Sequence, residues 1–311
     1  MALLYMSQYI GNQDLFFQPE VKQYGSHMVM TNVMLPSKSK YLNVDSHYSD
    51  NYGSNTLANF NVTFPDRIEN VKSLKVRCAE IPVSFYNISA QLNNNVFNVS
   101  DGTTTVTFTI DDGYYDESGL TTEINNALIA EVVPFNQLVY SISNKKSVFT
   151  NNSASTTLEL QFDVSPQGAT DLQNVTFKFG WLLGFRETNY SLDPVSTITS
   201  TAFIDLQLPR YLYLVINEFT NGNPFSFVTM LQNSQINKSQ IIARIAMDYT
   251  QYPFGTVVQA SDEKGNLVSD TRVYNGPVNI QRMNVQLVNE RGVIMNLNGL
   301  NTSFCLELDY E

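Results

Sequence analysis

Asn59-Phe-Asn-Val-Thr-Phe64 sets an apolar side chain at every second position, with Phe60, Val62 and Phe64 alternating against Asn59, Asn61 and Thr63. Successive side chains of an extended chain point to opposite faces, so this spelling describes a strand with one buried and one wet face. The same alternation recurs downstream. Val106, Phe108 and Ile110 alternate with threonines, Leu158, Leu160, Phe162 and Val164 with Glu159, Gln161 and Asp163, and Val175, Phe177 and Phe179 with Asn174, Thr176 and Lys178. One-sided burial is what antiparallel sheets provide and parallel sheets seldom do. Two runs, Tyr211-Leu-Tyr-Leu-Val-Ile216 and Ile241-Ile-Ala-Arg-Ile-Ala-Met247, are apolar on both faces and predict central strands. Near the C-terminus, Ile280–Val288, the turn Asn289-Glu-Arg-Gly292 and Val293–Leu297 predict a hairpin in which Gly292 takes the positive φ. A further turn, Asn298-Gly-Leu-Asn301, leads into a last strand carrying Phe304, Leu306, Leu308 and Tyr310 on one face.

One segment changes period. Leu120, Ile124, Ala127 and Leu128 stand at helical spacing, Ser118 is placed as an N-cap and Pro134 closes the run, so an amphipathic helix of about three turns is expected to cover a strand layer. A shorter helical turn is read around Leu182-Leu-Gly-Phe185. Many short strands with turn signals and a helix in a connection define the fold class as all-β, an antiparallel β-sandwich of Greek-key type with one amphipathic helix and loop insertions. The connections Asp111–Val139 and Asn217–Gln240 are the expected insertions. Residues 1–40 hold Tyr5, Tyr9, Phe16, Phe17 and Tyr24 without a clean period; they read either as an arm that docks on a neighbouring subunit or as a tail on their own domain.

Composition narrows the function. Only 15% of the 311 residues are Asp, Glu, Lys or Arg, against roughly 25% in an average soluble domain. Neutral polar residues replace them, with 34 Asn, 27 Ser and 25 Thr beside 17 Tyr and 19 Phe. Tyr and Phe supply contact area, and amides make hydrogen bonds without the desolvation cost of ions, a vocabulary suited to large interfaces as well as to a core. Eighteen Lys+Arg against 29 Asp+Glu give a net charge of -11. Binding to phosphates needs clustered cations, so no nucleic-acid partner is expected. No stretch is long and apolar enough for a membrane span, and residues 1–30 lack the basic region and compact apolar core of a secretory signal, which reads as a soluble protein of a reducing compartment.

Candidates for chemistry are few. His27 and His47 are the two histidines; neither forms the His-x-His of a cupin-type metal site, and Ser/His/Asp or Cys/His catalysis would have to run through one of them. Cys78 and Cys305 lie far apart, neither in a CxxC, so a disulfide framework is excluded, a structural zinc has almost no support, and buried or half-buried thiols are expected. Asp111-Asp112-Gly-Tyr-Tyr-Asp116-Glu117 concentrates hard oxygen ligands near a turn. It lacks the EF-hand spacing, and its bland alternative to weak cation binding is a strand-to-helix turn whose carboxylates face a helix N-terminus. Tyr114-Tyr115 and Tyr249–Tyr252 are candidate aromatic platforms for a glycan. No phosphate-binding Gly-rich loop occurs. The reading is a protein without a catalytic site, a cofactor or a structural metal.

Several segments resemble a known group in kind and order. Ala79-Glu-Ile-Pro-Val-Ser-Phe-Tyr-Asn-Ile88 is similar to the strand-ending segment of penton and minor capsid proteins of virophages, Polinton-like elements and nucleocytoplasmic large DNA viruses. Asp112-Gly-Tyr-Tyr115, Leu182-Leu-Gly-Phe185, Tyr274-Asn-Gly-Pro277 and Asn296-Leu-Asn-Gly299 before Phe304-Cys-Leu-Glu-Leu308 follow in the same order. The resemblance implies a single jelly-roll capsid domain over residues 41–311, with residues 1–40 as an arm on neighbouring capsid subunits. It implies five copies closing each icosahedral vertex of the virion after assembly in the host cell, with a major capsid protein and other minor capsid proteins as partners and a host-surface glycan or receptor as a further one. The alternatives are a minor capsid protein beneath or between the major capsomers, and a jelly-roll glycan-binding module.

Overall fold

The computed structural model describes residues 38–50, 52–53, 57–171, 175–220, 227, 229 and 240–311. The expected arm lies outside the described residues up to residue 37. Its last three residues open the first strand.

The Asn59–Phe64 alternation begins β2, a strand that continues for 24 residues, Asn59–Pro82. Burial starts on the even positions Phe60, Val62, Phe64 and Ile68 and moves to the odd Val71 after Asn70, whose φ of 57° shifts the phase by one residue. A second slip falls at Arg77: Cys305 opposes Cys78 while Leu306 opposes Val76, so Arg77 is the extra residue of a bulge. These slips bend one long strand around a core and let it pair with three partners.

The partners are β14 (Arg272–Asn289), which pairs with the first part of β2, β12 (Val257–Ser261), which pairs with its end, and β15 (Ser303–Tyr310) along the opposite edge. Outside β15 lies β1 (Lys38–Asp45); beyond β14 come β10 (Tyr211–Asn217), β11 (Ile241–Ala246) and β13 (Leu267–Ser269). The pairings are antiparallel. The sheet curls until β13 returns to β2: the Val76 N–H donates to Ser269 Oγ at 3.1 Å, and that hydroxyl donates to the Ile242 carbonyl at 3.3 Å. Inside are Phe60, Leu74, Val76, Leu212, Ile242, Met283, Leu306 and their neighbours. β10 and β11 are central, as their two apolar faces require; Leu212, Leu214 and Ile216 face this core, while Tyr213 and Val215 pack with Ile241 and Val288 on the other side.

The hydrophobic residues separate into two bodies. From Ile88 to Leu192 they form a second cluster, flanked by Ile204, Leu206 and Leu208. The chain leaves the large sheet after Phe85 and returns at β10, so residues 86–209 form one inserted unit. The insertion expected at Asp111–Val139 is only part of it; the other expected one, Asn217–Gln240, lies largely outside the described residues. The unit holds a sheet in the order β4 (Thr105–Thr109), β3 (Val96–Ser100), β7 (Leu158–Gln161), β8 (Asn189–Leu192) and a sheet of β5 (Leu138–Ser143), β6 (Lys146–Asn151), β9 (Ser196–Thr199). Phe97 sits at its centre, its ring 5.1 Å from Phe108 and 5.6 Å from Phe179. Helix α1 (Glu117–Ile129) closes it with Leu120, Ile124 and Leu128 fully buried. The Asn125 amide fastens α1 to β5, donating to the Tyr140 carbonyl and accepting from its N–H, both at 2.8 Å.

Three expectations are corrected. The N-cap of α1 is Asp116, whose carboxylate accepts from the Gly119 N–H at 2.7 Å, and Ser118 lies inside the helix. The strand expected over Asn174–Phe179 is, from Val175, a 3-10 turn followed by the short helix α2 (Phe179–Leu182). Lys178, on the face assigned to water, is 2% exposed, because its amine must reach the Asp171 carboxylate at 2.6 Å and the Val164 carbonyl at 3.0 Å. The helical turn around Leu182 is present. After Gly292, at φ 82°, Val293–Leu297 returns only as an isolated bridge between Ile294 and Val288.

Candidate functional site

The chain crosses between the two bodies at Ser84–Ile88 and again at Leu208–Arg210. Ser84 donates its hydroxyl to the Leu297 carbonyl at 2.6 Å, and Asn298 Nδ2 donates to the Ser84 carbonyl at 2.5 Å, tying the end of β2 to the Asn296–Gly299 turn. Asn87, 1% exposed, does the same for the inserted unit. Its amide donates to the carbonyls of Tyr115 at 2.8 Å and Leu206 at 3.0 Å, and its oxygen accepts from the Tyr115 N–H at 2.9 Å. Ile88 bridges Gly113. Three of the five segments that carry the sequence resemblance therefore meet at the junction.

The other two shape their own bodies. Gly184 ends the turn after α2 at φ 95°, where a Cβ would collide with the Ala202 carbonyl oxygen. Tyr274-Asn-Gly-Pro277 is a bulge on β14, lying between the pairs Val273–Ser73 and Val278–Val71. The bulge brings the Tyr274 hydroxyl to Glu218 Oε1 at 2.5 Å. Arg272 meets the same carboxylate at 2.7 Å, and both charged side chains are 0% exposed. The guanidinium also donates to the carbonyls of Ile216 at 3.0 Å and Gln240 at 2.9 Å, clamping both ends of the connection between β10 and β11. Burial and the neighbouring Glu218 carboxylate hold the Tyr274 hydroxyl far above its ordinary range. Sequence offered no signal for this triad, since Glu218 stands over 50 positions from Arg272 and Tyr274.

A cleft of about 380 Å³ opens beside the junction, lined by Trp181, Arg186, Arg210, Tyr211, Glu290 and Arg291 among others. Arg186 stacks over Trp181 at 4.2 Å and Arg291 over Phe177 at 4.4 Å. Arg210 reaches Asp205 at 2.5 Å. Burial raises the Glu290 carboxyl above its usual range and lowers Arg291. The arginines are thus held by rings and carboxylates, and no Ser-His or Cys-His pair lines the cleft.

The sequence candidates are dispersed. His27 lies outside the described residues; His47 lies within a 3-10 turn capped by Asp45, whose carboxylate accepts from the His47 N–H, and it packs edge-on against Tyr48 and Tyr52. The acidic segment does not converge. Asp112 accepts from the Ala90 N–H at 2.7 Å, Asp116 caps α1, and Glu117 pairs with Lys145 at 2.6 Å. Among the described residues no three His, Cys, Asp or Glu side chains are grouped to hold a metal ion. The expected aromatic platforms turn inward: Tyr115 packs on the second core, Tyr249 and Tyr252 pack on the first, and the Tyr249 hydroxyl donates to the Pro209 carbonyl at 2.7 Å. Tyr114 alone stays at the surface, stacked on Phe254 with centroids 4.3 Å apart. Cys78 and Cys305, distant in sequence, stand opposite each other on β2 and β15 with free thiols.

Several large apolar side chains also remain outward. Ile129 at 68%, Val132 at 70% and Val133 at 65% exposure lie at the end of α1 and just after it, and Tyr48, Val195 and Phe203 are exposed elsewhere. No described helix is long and apolar enough to cross a membrane.

No known family model matches the chain, and no curated protein matches it. Among solved structures it is similar to the crystal structure of selenomethionine-labelled mavirus penton protein, at 11% identity over 88% of this chain and 100% of that one, with a TM-score of 0.43. It is also similar to the 3.5 Å cryo-EM structure of the Sputnik virophage, at 13% identity over 89% of this chain and 98% of that one, with a TM-score of 0.41.

Proposed function

We propose that this chain is a structural protein of a viral capsid, and that it closes the icosahedral vertices as rings of five. The observation that carries the reading is the junction. Three of the five segments that resemble penton and minor capsid proteins fix how an inserted unit is mounted on a curled sheet, and the other two shape the two bodies. A shared motif that specifies shape suits a protein whose function is shape.

The surface supports the same reading. A ring of five is a set of heterologous contacts that closes on itself. Each copy carries a net charge of -11, so copies repel at long range and the contacts must be apolar or hydrogen-bonded. The exposed Ile129, Val132 and Val133 and the neutral amides fit that requirement. Added salt screens the repulsion. Light scattering and native mass spectrometry from about 0.05 to 0.5 M salt should therefore show assembly retained or strengthened as salt rises. Dissociation to single chains on adding modest salt would overturn the reading.

A further inference from the structure

We propose that Cys78 and Cys305 close an intrachain disulfide across β2 and β15 by exchange with a small-molecule disulfide such as oxidised glutathione, and that the bond reopens in excess thiol. They are the two cysteines of a 311-residue chain, yet the fold makes them direct partners in an antiparallel pair. Opposed Cα atoms in such pairs stand about 4.5 or 5.5 Å apart, inside the range of about 4.4–6.8 Å that a disulfide spans. Directly opposed residues of an antiparallel pair carry their side chains on the same face of the sheet, so both thiols project from one face as cross-strand neighbours. The bulge at Arg77 falls beside the pair, where the ladder is already irregular and has slack to adjust.

The two thiols differ in access. Cys78 is exposed and Cys305 half-buried; burial and the neighbouring Cys78 raise the Cys305 thiol above its ordinary range. Cys78 as thiolate attacks the small disulfide, forming one S–S bond and releasing one small thiol. Cys305, after losing its proton to solvent, then attacks the Cys78 sulfur and expels the second small thiol. Two protein thiols are oxidised and one small disulfide is reduced to two thiols, with no other oxidant required.

The bond would fasten a weak edge. Among the described strands, β1 and β15 join the rest of the large sheet through β2 alone, and β1 follows directly from residues 1–37. On the capsid reading, on which only this consequence rests, tension on that segment would peel β1 and β15 from the sheet, and the disulfide would resist it.

Folded full-length protein is incubated with oxidised glutathione at mildly alkaline pH, quenched with N-ethylmaleimide and weighed intact. The expected result is loss of both alkylatable thiols, a mass lower by about 2 Da for the two hydrogens removed, a mapped Cys78–Cys305 peptide pair, and full reversal by dithiothreitol. Cys305→Ser should instead trap glutathione on Cys78, and this arm reads the first step independently of the second. In the unsubstituted protein, a persistent glutathione adduct with Cys305 still alkylatable, a disulfide-linked dimer, or two thiols that stay unreacted would each overturn the proposal. None of these readouts depends on ring assembly, so failure here and failure of the capsid reading are separable.

Discussion

Removing the Arg272 guanidinium should unfold one body and largely spare the other. Arg272 and Glu218 are fully buried, and the guanidinium serves Glu218, the Ile216 carbonyl and the Gln240 carbonyl. Stripping one partner from a buried pair leaves an uncompensated charge and costs about 3–5 kcal/mol. Arg272→Met should lose that amount, and Glu218→Met a comparable one. The double variant removes both charges and should lose less than the sum of the singles by about 2 kcal/mol or more. Urea unfolding with two probes measures this. Far-UV circular dichroism follows the secondary structure of both bodies, and the large sheet supplies the greater part of the strand residues. The single tryptophan, Trp181, lies in α2 of the inserted unit, so its fluorescence follows the second core. The dichroism midpoint should fall well below that of the unsubstituted protein while the fluorescence midpoint moves less. A loss under about 1 kcal/mol, additivity within about 0.5 kcal/mol, or equal shifts at both probes would refute the reasoning.

Three further outcomes are expected. Asn87→Ala leaves two carbonyls and one N–H at the junction without their partner and should cost about 2–3 kcal/mol in urea unfolding, whereas a loss within about 0.5 kcal/mol would show that the junction is not held there. Gly184→Ala forces a side chain onto positive φ and into the Ala202 carbonyl; it should lower the Trp181 fluorescence midpoint by about 2 kcal/mol or more, and an unchanged midpoint would contradict the geometry. Burial holds Tyr213 up to about 12 and raises Tyr140, Tyr249 and Tyr274 further, against an ordinary value of 10.0. A raised folded-state value means stability that is complete below pH 10.0 and is lost as pH climbs through the folded values. The tyrosinate absorbance of these groups should thus rise together with loss of circular dichroism, and titration of every tyrosine near its ordinary value in a still-folded chain would contradict it.

The strands were legible wherever one face met water and the other a core, because that condition writes a period of two into the sequence; β2, β4, β7 and β15 all show it. Helix α1 was legible for the matching reason at a period near four. The division into two bodies was not. Ser84–Ile88 and Leu208–Arg210 carry no change of composition or run of Gly and Pro, and the hydrogen bonds that make them a junction reach across the fold. Asn174–Phe179 misled because three alternating residues fit a strand and a turn equally, and the buried Lys178 is stable only through Asp171, which the alternation does not reveal. Asp116 outdid Ser118 as a cap because its carboxylate meets a free N–H three residues on. The Arg272–Glu218–Tyr274 triad and the Cys78–Cys305 pair are products of register, which no local pattern reports. The acidic segment Asp111–Glu117 forms the strand-to-helix turn with a capped helix that the sequence offered as the alternative to weak cation binding.

The central claim is that this chain acts by fitting against copies of itself, and electron-microscopic class averages of the purified protein over a concentration series test it most directly. The account predicts rings with five-fold symmetry that grow more abundant with concentration. Particles the size of one chain at every concentration would contradict it.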